Sequence, residues 1–212
     1  MYNDITGIIL SGGKSKRMGV NKSLLKVESK TIIEVVQDKI SKLFKELLVV
    51  TNEPELYQFL NLKIYEDIFP GKGPLAGIHS GLVHSKTQQN FILSCDIPLI
   101  TTDMINTIIN YKKDSPITVA KADGYIQQLC GVYDKSCLSK VEDLLEESLS
   151  DENRNTQQEK RGCKVLQLIK EIDAEILDAE TLPFYNKDLF FNMNTMDDFI
   201  YAKKKLLNVR DD

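Results

Sequence analysis

Thirteen residues near the amino terminus, Leu10-Ser11-Gly12-Gly13-Lys14-Ser15-Lys16-Arg17-Met18-Gly19-Val20-Asn21-Lys22, bring together three glycines and four basic side chains. Glycine opens φ values closed to other residues and lets a backbone press close to a ligand. Successive main-chain N–H groups in such a stretch make a concavity that suits an anion. Lysine and arginine add charge-assisted hydrogen bonds to phosphate oxygens. The chemistry specified is the holding of a phosphorylated nucleotide, the alternative being a tight turn with solvated lysines. The spacing differs from the two commonest phosphate loops. A P-loop requires G-x-x-x-x-G-K-[ST], whereas Lys22-Ser23 follows Asn21 and Gly13-Lys14-Ser15 has no glycine five residues upstream of Gly13. Gly71-Lys72-Gly73-Pro74-Leu75-Ala76 fits the dinucleotide fingerprint loosely, but it follows Phe69-Pro70 rather than a strand-like run.

Three further groups could take part. Phe91-Ile92-Leu93-Ser94-Cys95-Asp96-Ile97-Pro98 is an apolar run ending in a carboxylate. Pro98 drives Ile97 toward an extended conformation, leaving Asp96 at the tip. A carboxylate beside phosphates calls for a cation between them, and Mg²⁺ is held by one or two carboxylates with substrate phosphates and waters. The alternative for Asp96 is a solvated turn or a helix cap. Gly77 and Gly81 lie four apart in a helical pattern that opens at Pro74. Each costs about 0.5–1 kcal/mol relative to alanine, which calls either for close helix–sheet packing or for a planar ligand on that face. Asn192-Met193-Asn194-Thr195 follows Leu189-Phe190-Phe191. Read as the end of a strand, it puts Asn192 and Asn194 on one side, with Thr195 as cap of the last helix and Asp197 and Asp198 in its first turn.

The elements that must position these groups alternate. Ile5–Leu10, Leu47–Thr51, Leu62–Tyr65, Asn90–Ser94, Ile117–Ala120 and Gln128–Tyr133 read as strands. Thr31–Phe44, Pro54–Leu60, Pro74 to about Val83, Thr101–Tyr111, Cys137–Leu149, Lys164–Ile172 and Met196–Leu207 read as helices. This alternation predicts an α/β fold of three layers, a mostly parallel sheet with helices on both faces. Ligands of such sheets bind beyond the carboxyl ends of the strands. The glycine-rich stretch, Thr51-Asn52, Glu66-Asp67 and Cys95-Asp96 each follow a strand, so all are expected at one edge. The wholly polar stretch 150–159 reads as an exposed loop.

The 212 residues carry a net charge of −4, which argues against nucleic acid as a partner. No apolar run approaches the roughly 20 residues that cross a bilayer, so no membrane association is expected. Cys95, Cys130, Cys137 and Cys163 form no C-x-x-C pair, which signals neither zinc nor dithiol chemistry. Reduced cysteines and the lack of a signal-like start point to the cytoplasm. His79 and His84, five residues apart, fall on different helix faces and make a poor metal pair.

Taken in order, L-S-G-G-K-S-K-R-M-G-V-N-K, G-P-L-A-G-I, S-C-D-I-P and N-M-N-T resemble the molybdenum cofactor guanylyltransferases, within the nucleoside-triphosphate transferase-like enzymes. The similarity runs from Ile8 to about Leu207. It implies a Rossmann-like nucleotidyltransferase fold in one domain over residues 1–212, with nucleotide bound by about residues 1–100 and the acceptor by the carboxyl-terminal half. It implies transfer of GMP from GTP to molybdopterin with Mg²⁺ and release of pyrophosphate. The related alternative is a transferase that uses CTP or acts on a sugar or polyol phosphate. From a different class comes a nucleotide-binding regulator without catalysis. By position, Leu10, Ser11, Gly12, Gly13, Lys22, Asn52, Asp67 and Asp96 would contact the nucleotide. Lys22, Arg17 and Asp96 would be catalytic, with Asp96 as metal ligand. Gly77, Asn192, Asn194 and Lys164 would face the acceptor. Transient contact with other cofactor-biosynthesis proteins or recipient molybdoenzymes is a further implication. Asn21 stands where the family usually has aspartate, Met196 stands in place of a proline, and the basic pair of a late helix is represented by Arg161 and Lys164.

Overall fold

A computed structural model of the protein describes residues 1–12, 21–111, 114–150 and 163–208. Gly13, Arg17 and Arg161 lie outside the described residues. The strands are β1 (Tyr2–Leu10), β2 (Lys26–Val27), β3 (Lys30–Thr31), β4 (Phe44–Val50), β5 (Lys63–Tyr65), β6 (Gln89–Ser94), β7 (Ile117–Ala122), β8 (Tyr125–Asp134) and β9 (Glu175–Asp178). The α-helices are α1 (Ile32–Ile40), α2 (Pro74–His84), α3 (Thr102–Tyr111), α4 (Leu138–Ser150), α5 (Cys163–Glu171) and α6 (Met196–Asn208). Pro54–Leu60 is a 3₁₀ helix.

Seven strands form one sheet in the order β5-β4-β1-β6-β8-β7-β9, and β2 and β3 form a separate hairpin. Only β8 runs against the rest: it pairs antiparallel with β6 and β7, while the other neighbours are parallel. This is the expected mostly parallel, three-layer α/β architecture.

The burial pattern shows why the sequence chooses it. In β1 Ile5 through Leu10 are all buried, as a strand covered on both faces requires. One face packs Ile33, Val36 and Ile40 of α1 and Met104, Ile105 and Ile108 of α3 against Ile9, Phe91 and Leu93. The other packs Leu75, Ile78 and Leu82 of α2 with residues of α4 and α5 against Ile8, Leu48 and Ile92. A third, smaller core joins Val27 and Ile32 to Met193, Phe199 and Ala202, so α6 docks beside the hairpin rather than on the sheet.

Two local expectations are corrected, and three short strands were not expected. The helical stripe read over Thr31–Phe44 ends at Ile40. Phe44 opens β4 opposite Tyr2 and stacks on Phe91, with ring centroids 5.7 Å apart. Leu43 and Phe44 suit either periodicity, and the pairing with β1 decides. Asn192 and Asn194 do not leave a strand: Leu189 through Phe191 form turns, and Thr195 opens α6. The acidic four-residue edge strand β9 and the two-residue strands of the hairpin carry too little apolar alternation to be read from sequence. Capping follows expectation. Thr101 Oγ1 accepts from Met104 N. Thr195 Oγ1 accepts from Asp198 N while Asp198 Oδ2 accepts from Thr195 N, a reciprocal cap on α6.

The two glycines of α2 have different reasons. A Cβ on Gly81 would lie 2.8 Å from Ile8 Cγ2, so Gly81 serves close helix–sheet packing. A Cβ on Gly77 would meet Leu10 Cδ2 at 3.4 Å and Asp67 Oδ1 at 3.6 Å, ordinary contact at the carboxyl edge of the sheet. Gly77→Ala is therefore expected to raise the urea midpoint through its helix-propensity gain of about 0.5–1 kcal/mol. Gly81→Ala is expected to lower it, because overpacking costs about 1–3 kcal/mol.

Lys39 on α1 extends its ammonium to the Pro98 carbonyl, 2.8 Å away in the segment after β6. Burial, with Lys42 nearby, lowers its pKa to about 8. Between that value and lysine's ordinary 10.5 the unfolded chain holds more protons than the folded one, so raising the pH favours the fold. The unfolding free energy of the wild type, measured against Lys39→Met, should accordingly climb on the order of 2 kcal/mol from pH 8 to pH 10.5. The loss of the Pro98 hydrogen bond in the variant adds an offset that does not vary across that window.

Candidate active site

The four strands that carry the candidate groups end level with one another. Leu10 of β1 pairs with Val50 of β4 and with Ser94 of β6, and Val50 pairs with Tyr65 of β5. The ladder continues one residue further: Ser11 N donates to Val50 O, Thr51 N to Tyr65 O and Cys95 N to Leu10 O. Ser11, Asn52, Asp67 and Asp96 thus follow a common line of strand ends, where the sequence placed them.

Two clusters form along that line. In one, Asn52 Nδ2 donates to Asp67 Oδ2 at 2.8 Å, and Asp67 Oδ1 faces Gly77 beside Leu10. Burial raises the Asp67 carboxyl above the usual carboxylate range, against the pull of the Asn52 amide. In the other, Lys22 Nζ stands 3.8 Å from Asp96 Oδ2. The Lys22 side chain is 13% exposed and that of Asp96 29%, so the pair is partly buried yet reachable from solvent. Burial raises the Asp96 carboxyl, with the Lys22 ammonium and the Cys95 thiol opposing.

The carboxyl-terminal segment completes this second cluster. Lys22 Nζ donates to Met193 O at 2.9 Å and to Asn194 Oδ1 at 3.2 Å. Met193 N donates to Asp96 O at 2.9 Å. One residue therefore binds both members of the ion pair through its backbone, and its fully buried side chain is fixed in the third core. Of the acceptor candidates, Asn194 joins the cluster and Gly77 lies beside Asp67. Asn192 is exposed. Lys164 is engaged elsewhere: its ammonium donates to the Leu144 carbonyl of α4. Gly12 is exposed, with open space where a Cβ would stand.

A hydroxyl that the sequence did not single out lies between the clusters. Tyr57, in the 3₁₀ helix and 1% exposed, accepts at its OH from Ser11 Oγ at 2.9 Å and from Asn21 Nδ2 at 2.9 Å, and contacts Ser23 Oγ at 2.7 Å. Asn21 uses both halves of its carboxamide. Oδ1 accepts from Ser23 N and Oγ, and Nδ2 also donates to Glu53 Oε2 at 3.2 Å. Met193 is likewise missed as an anchor. In sequence it is a spacer between two asparagines, and only the tertiary contact reveals its part. Tyr57 reads as an ordinary apolar residue paired with Leu60 on a short helix, with no motif to mark its hydroxyl.

A lysine–aspartate pair and an amide–carboxylate pair along one line of strand ends suit the phosphates and the base of a nucleoside triphosphate. Comparison with known proteins agrees. The family model of the MobA-like NTP transferase domain matches residues 7–161. A protein of Clostridium perfringens strain 13, named "Probable molybdenum cofactor guanylyltransferase", is 35% identical over 93% of this chain and 95% of its own length. A protein of the same name from Carboxydothermus hydrogenoformans is 34% identical, covering 97% of this chain and 96% of its own. The crystal structure of molybdopterin-guanine dinucleotide biosynthesis protein A from Archaeoglobus fulgidus superposes with a TM-score of 0.77, covering 96% of this chain and 99% of that one at 22% identity, and so shares the fold. This chain belongs to the MobA-like NTP transferase family and is a nucleotidyltransferase.

Proposed function

We propose that the protein transfers GMP from GTP to the phosphate of molybdopterin, forming the guanine dinucleotide cofactor and pyrophosphate. The observation that carries this reading is the meeting of Lys22 and Asp96 at the sheet's carboxyl edge, 3.8 Å apart. The names of the Clostridium and Carboxydothermus relatives support the choice of base and acceptor.

Asp67 and Asn52 suit the base. A carboxylate beside an amide can accept from the N1–H and 2-amino group of guanine, whereas cytosine offers only its 4-amino donor. Gly77 leaves the adjacent helix face free of a side chain. Lys22, held beside Asp96 by Met193 O and Asn194 Oδ1, meets the β- and γ-phosphates. Asn194 orients the acceptor or metal-bound water.

Among the described residues no group of three or more His, Cys, Asp or Glu could hold a metal by itself. The donor set beside Lys22 is one carboxylate, Asp96. That fits Mg²⁺ arriving with the nucleotide, which takes one or two carboxylates and completes its shell with phosphates and waters. Bound there, Mg²⁺ supplies charge neutralisation on the phosphate oxygens.

An oxygen of the acceptor phosphate forms the new bond to the α-phosphorus. The α–β bridging bond breaks, and its electron pair departs with pyrophosphate. A phosphate monoester has a second pKa of about 6, so the nucleophile is already anionic at neutral pH and needs no general base. The chain's work is to bring two anions together and to receive the charge of the leaving group, a matter of position and electrostatics.

Asp96→Asn should abolish molybdopterin- and GTP-dependent pyrophosphate release while leaving the melting temperature within a few degrees. Release at the wild-type rate would overturn the role given to Asp96. Asp67→Asn should weaken Mg·GTP binding about tenfold and leave Mg·CTP binding nearly unchanged, as read by equilibrium dialysis against each nucleotide. Equal losses for both would remove Asp67 from base selection.

A further inference from the structure

We infer that the Tyr57 hydroxyl is a positioning group for Lys22 and Asp96. The inference rests on the nucleotide-binding half of the reading above. Both chain neighbours of Lys22 bond to this one oxygen: Asn21 donates to it through Nδ2, and Ser23 Oγ lies 2.7 Å away. Ser11, at the end of β1, donates to it through Oγ. Ser11 Oγ in turn lies 3.6 Å from the Sγ of Cys95, the residue before Asp96. A single atom thus ties the residues flanking Lys22 to the strand end next to Asp96.

The polarity of these bonds has one solution. Tyr57 OH has one proton to give and receives from Ser11 and Asn21, so it donates to Ser23 Oγ. Ser23 then gives its proton to Asn21 Oδ1 at 2.7 Å. Cys95 Sγ lies 3.6 Å from Ser11 Oγ and 3.8 Å from Asp96 Oδ1, so it borders both the hydroxyl network and the carboxylate. The sequence of donors, Ser11 to Tyr57 to Ser23 to Asn21, has no break. Asn21 closes it because a carboxamide both accepts and donates, and its remaining Nδ2 proton goes to Glu53 Oε2. Tyr57 and Ser23 are almost wholly buried, so water does not replace a missing member, and an unmet buried partner is costly.

The device acts through Lys22, which separates it from ordinary packing. Tyr57→Phe keeps the ring in the core and removes only the oxygen. We expect it to weaken Mg·GTP binding about five- to tenfold in the wild-type background and less than twofold in a Lys22→Ala background, both read by equilibrium dialysis without acceptor. Asn21→Ala, at a half-exposed site, is expected to behave in the same way with a smaller loss, which keeps the test open if Tyr57→Phe folds poorly. A loss of equal size in both backgrounds, as general loosening of the fold would give, overturns the inference, as does wild-type affinity in Tyr57→Phe. Wild-type protein that binds Mg·GTP but releases no pyrophosphate with molybdopterin sinks the proposed acceptor alone, and the two-background comparison still decides the role of Tyr57. Wild-type protein that binds none of the four nucleoside triphosphates overturns both.

Discussion

The backbone of Met193 holds the site together. Its N–H takes the Asp96 carbonyl and its C=O takes the Lys22 ammonium. Lys22 stands in the crossover that follows β1 and Asp96 just beyond β6, so their separation has to be fixed by contacts outside the two residues. A third chain segment does so, and it can because the Met193 side chain is locked among Val27, Ile32, Phe199 and Ala202. Remove that anchor and the ammonium has one exposed amide oxygen and a carboxylate 3.8 Å off, an arrangement weak enough in water to drift.

The parallel register supplies the second constraint. Strands β1, β4, β5 and β6 end in line, so the residues just beyond them are neighbours without any special turn. The amide–carboxylate pair of Asn52 and Asp67 is a direct product of that alignment, since one follows β4 and the other follows β5. Burial at the rim keeps both Asp67 and Asp96 above the ordinary carboxylate range. Each is a carboxylate with unmet solvation, ready to gain from a donor or a cation.

What the sequence disclosed follows from the range of the forces involved. Strand and helix periodicity is local, and so the order of elements and the common edge were legible from runs such as Ile5–Leu10 and Phe91–Ser94. Asp96 at a strand tip needed only Pro98 two residues on. The meeting of Lys22 with Asp96 was implied by topology alone. The contributions of Met193 and Tyr57 were not legible, because each depends on partners far along the chain: Tyr57 lies 46 residues from Ser11 and Lys22 lies 171 from Met193. Asn192 and Asn194 were assigned to a strand because two asparagines at alternate positions look alike in a strand and in a turn, and only the Asp198 contacts of Asn194 and Thr195 settle which it is. The acceptor role of Lys164 follows from the family resemblance, and a resemblance does not say which carbonyl an ammonium will find.

The docking of α6 beside the hairpin rather than on the sheet has a consequence for how the molecule is made. During synthesis the seven-stranded sheet can assemble from residues up to Asp178, but Lys22 gains its backbone acceptor only after Met193 has emerged and Phe199 and Ala202 have closed over the hairpin. A nascent chain therefore holds all the strands of the sheet before it holds the segment that fixes Lys22. The Lys22 ammonium takes its final place only when α6 seats Met193.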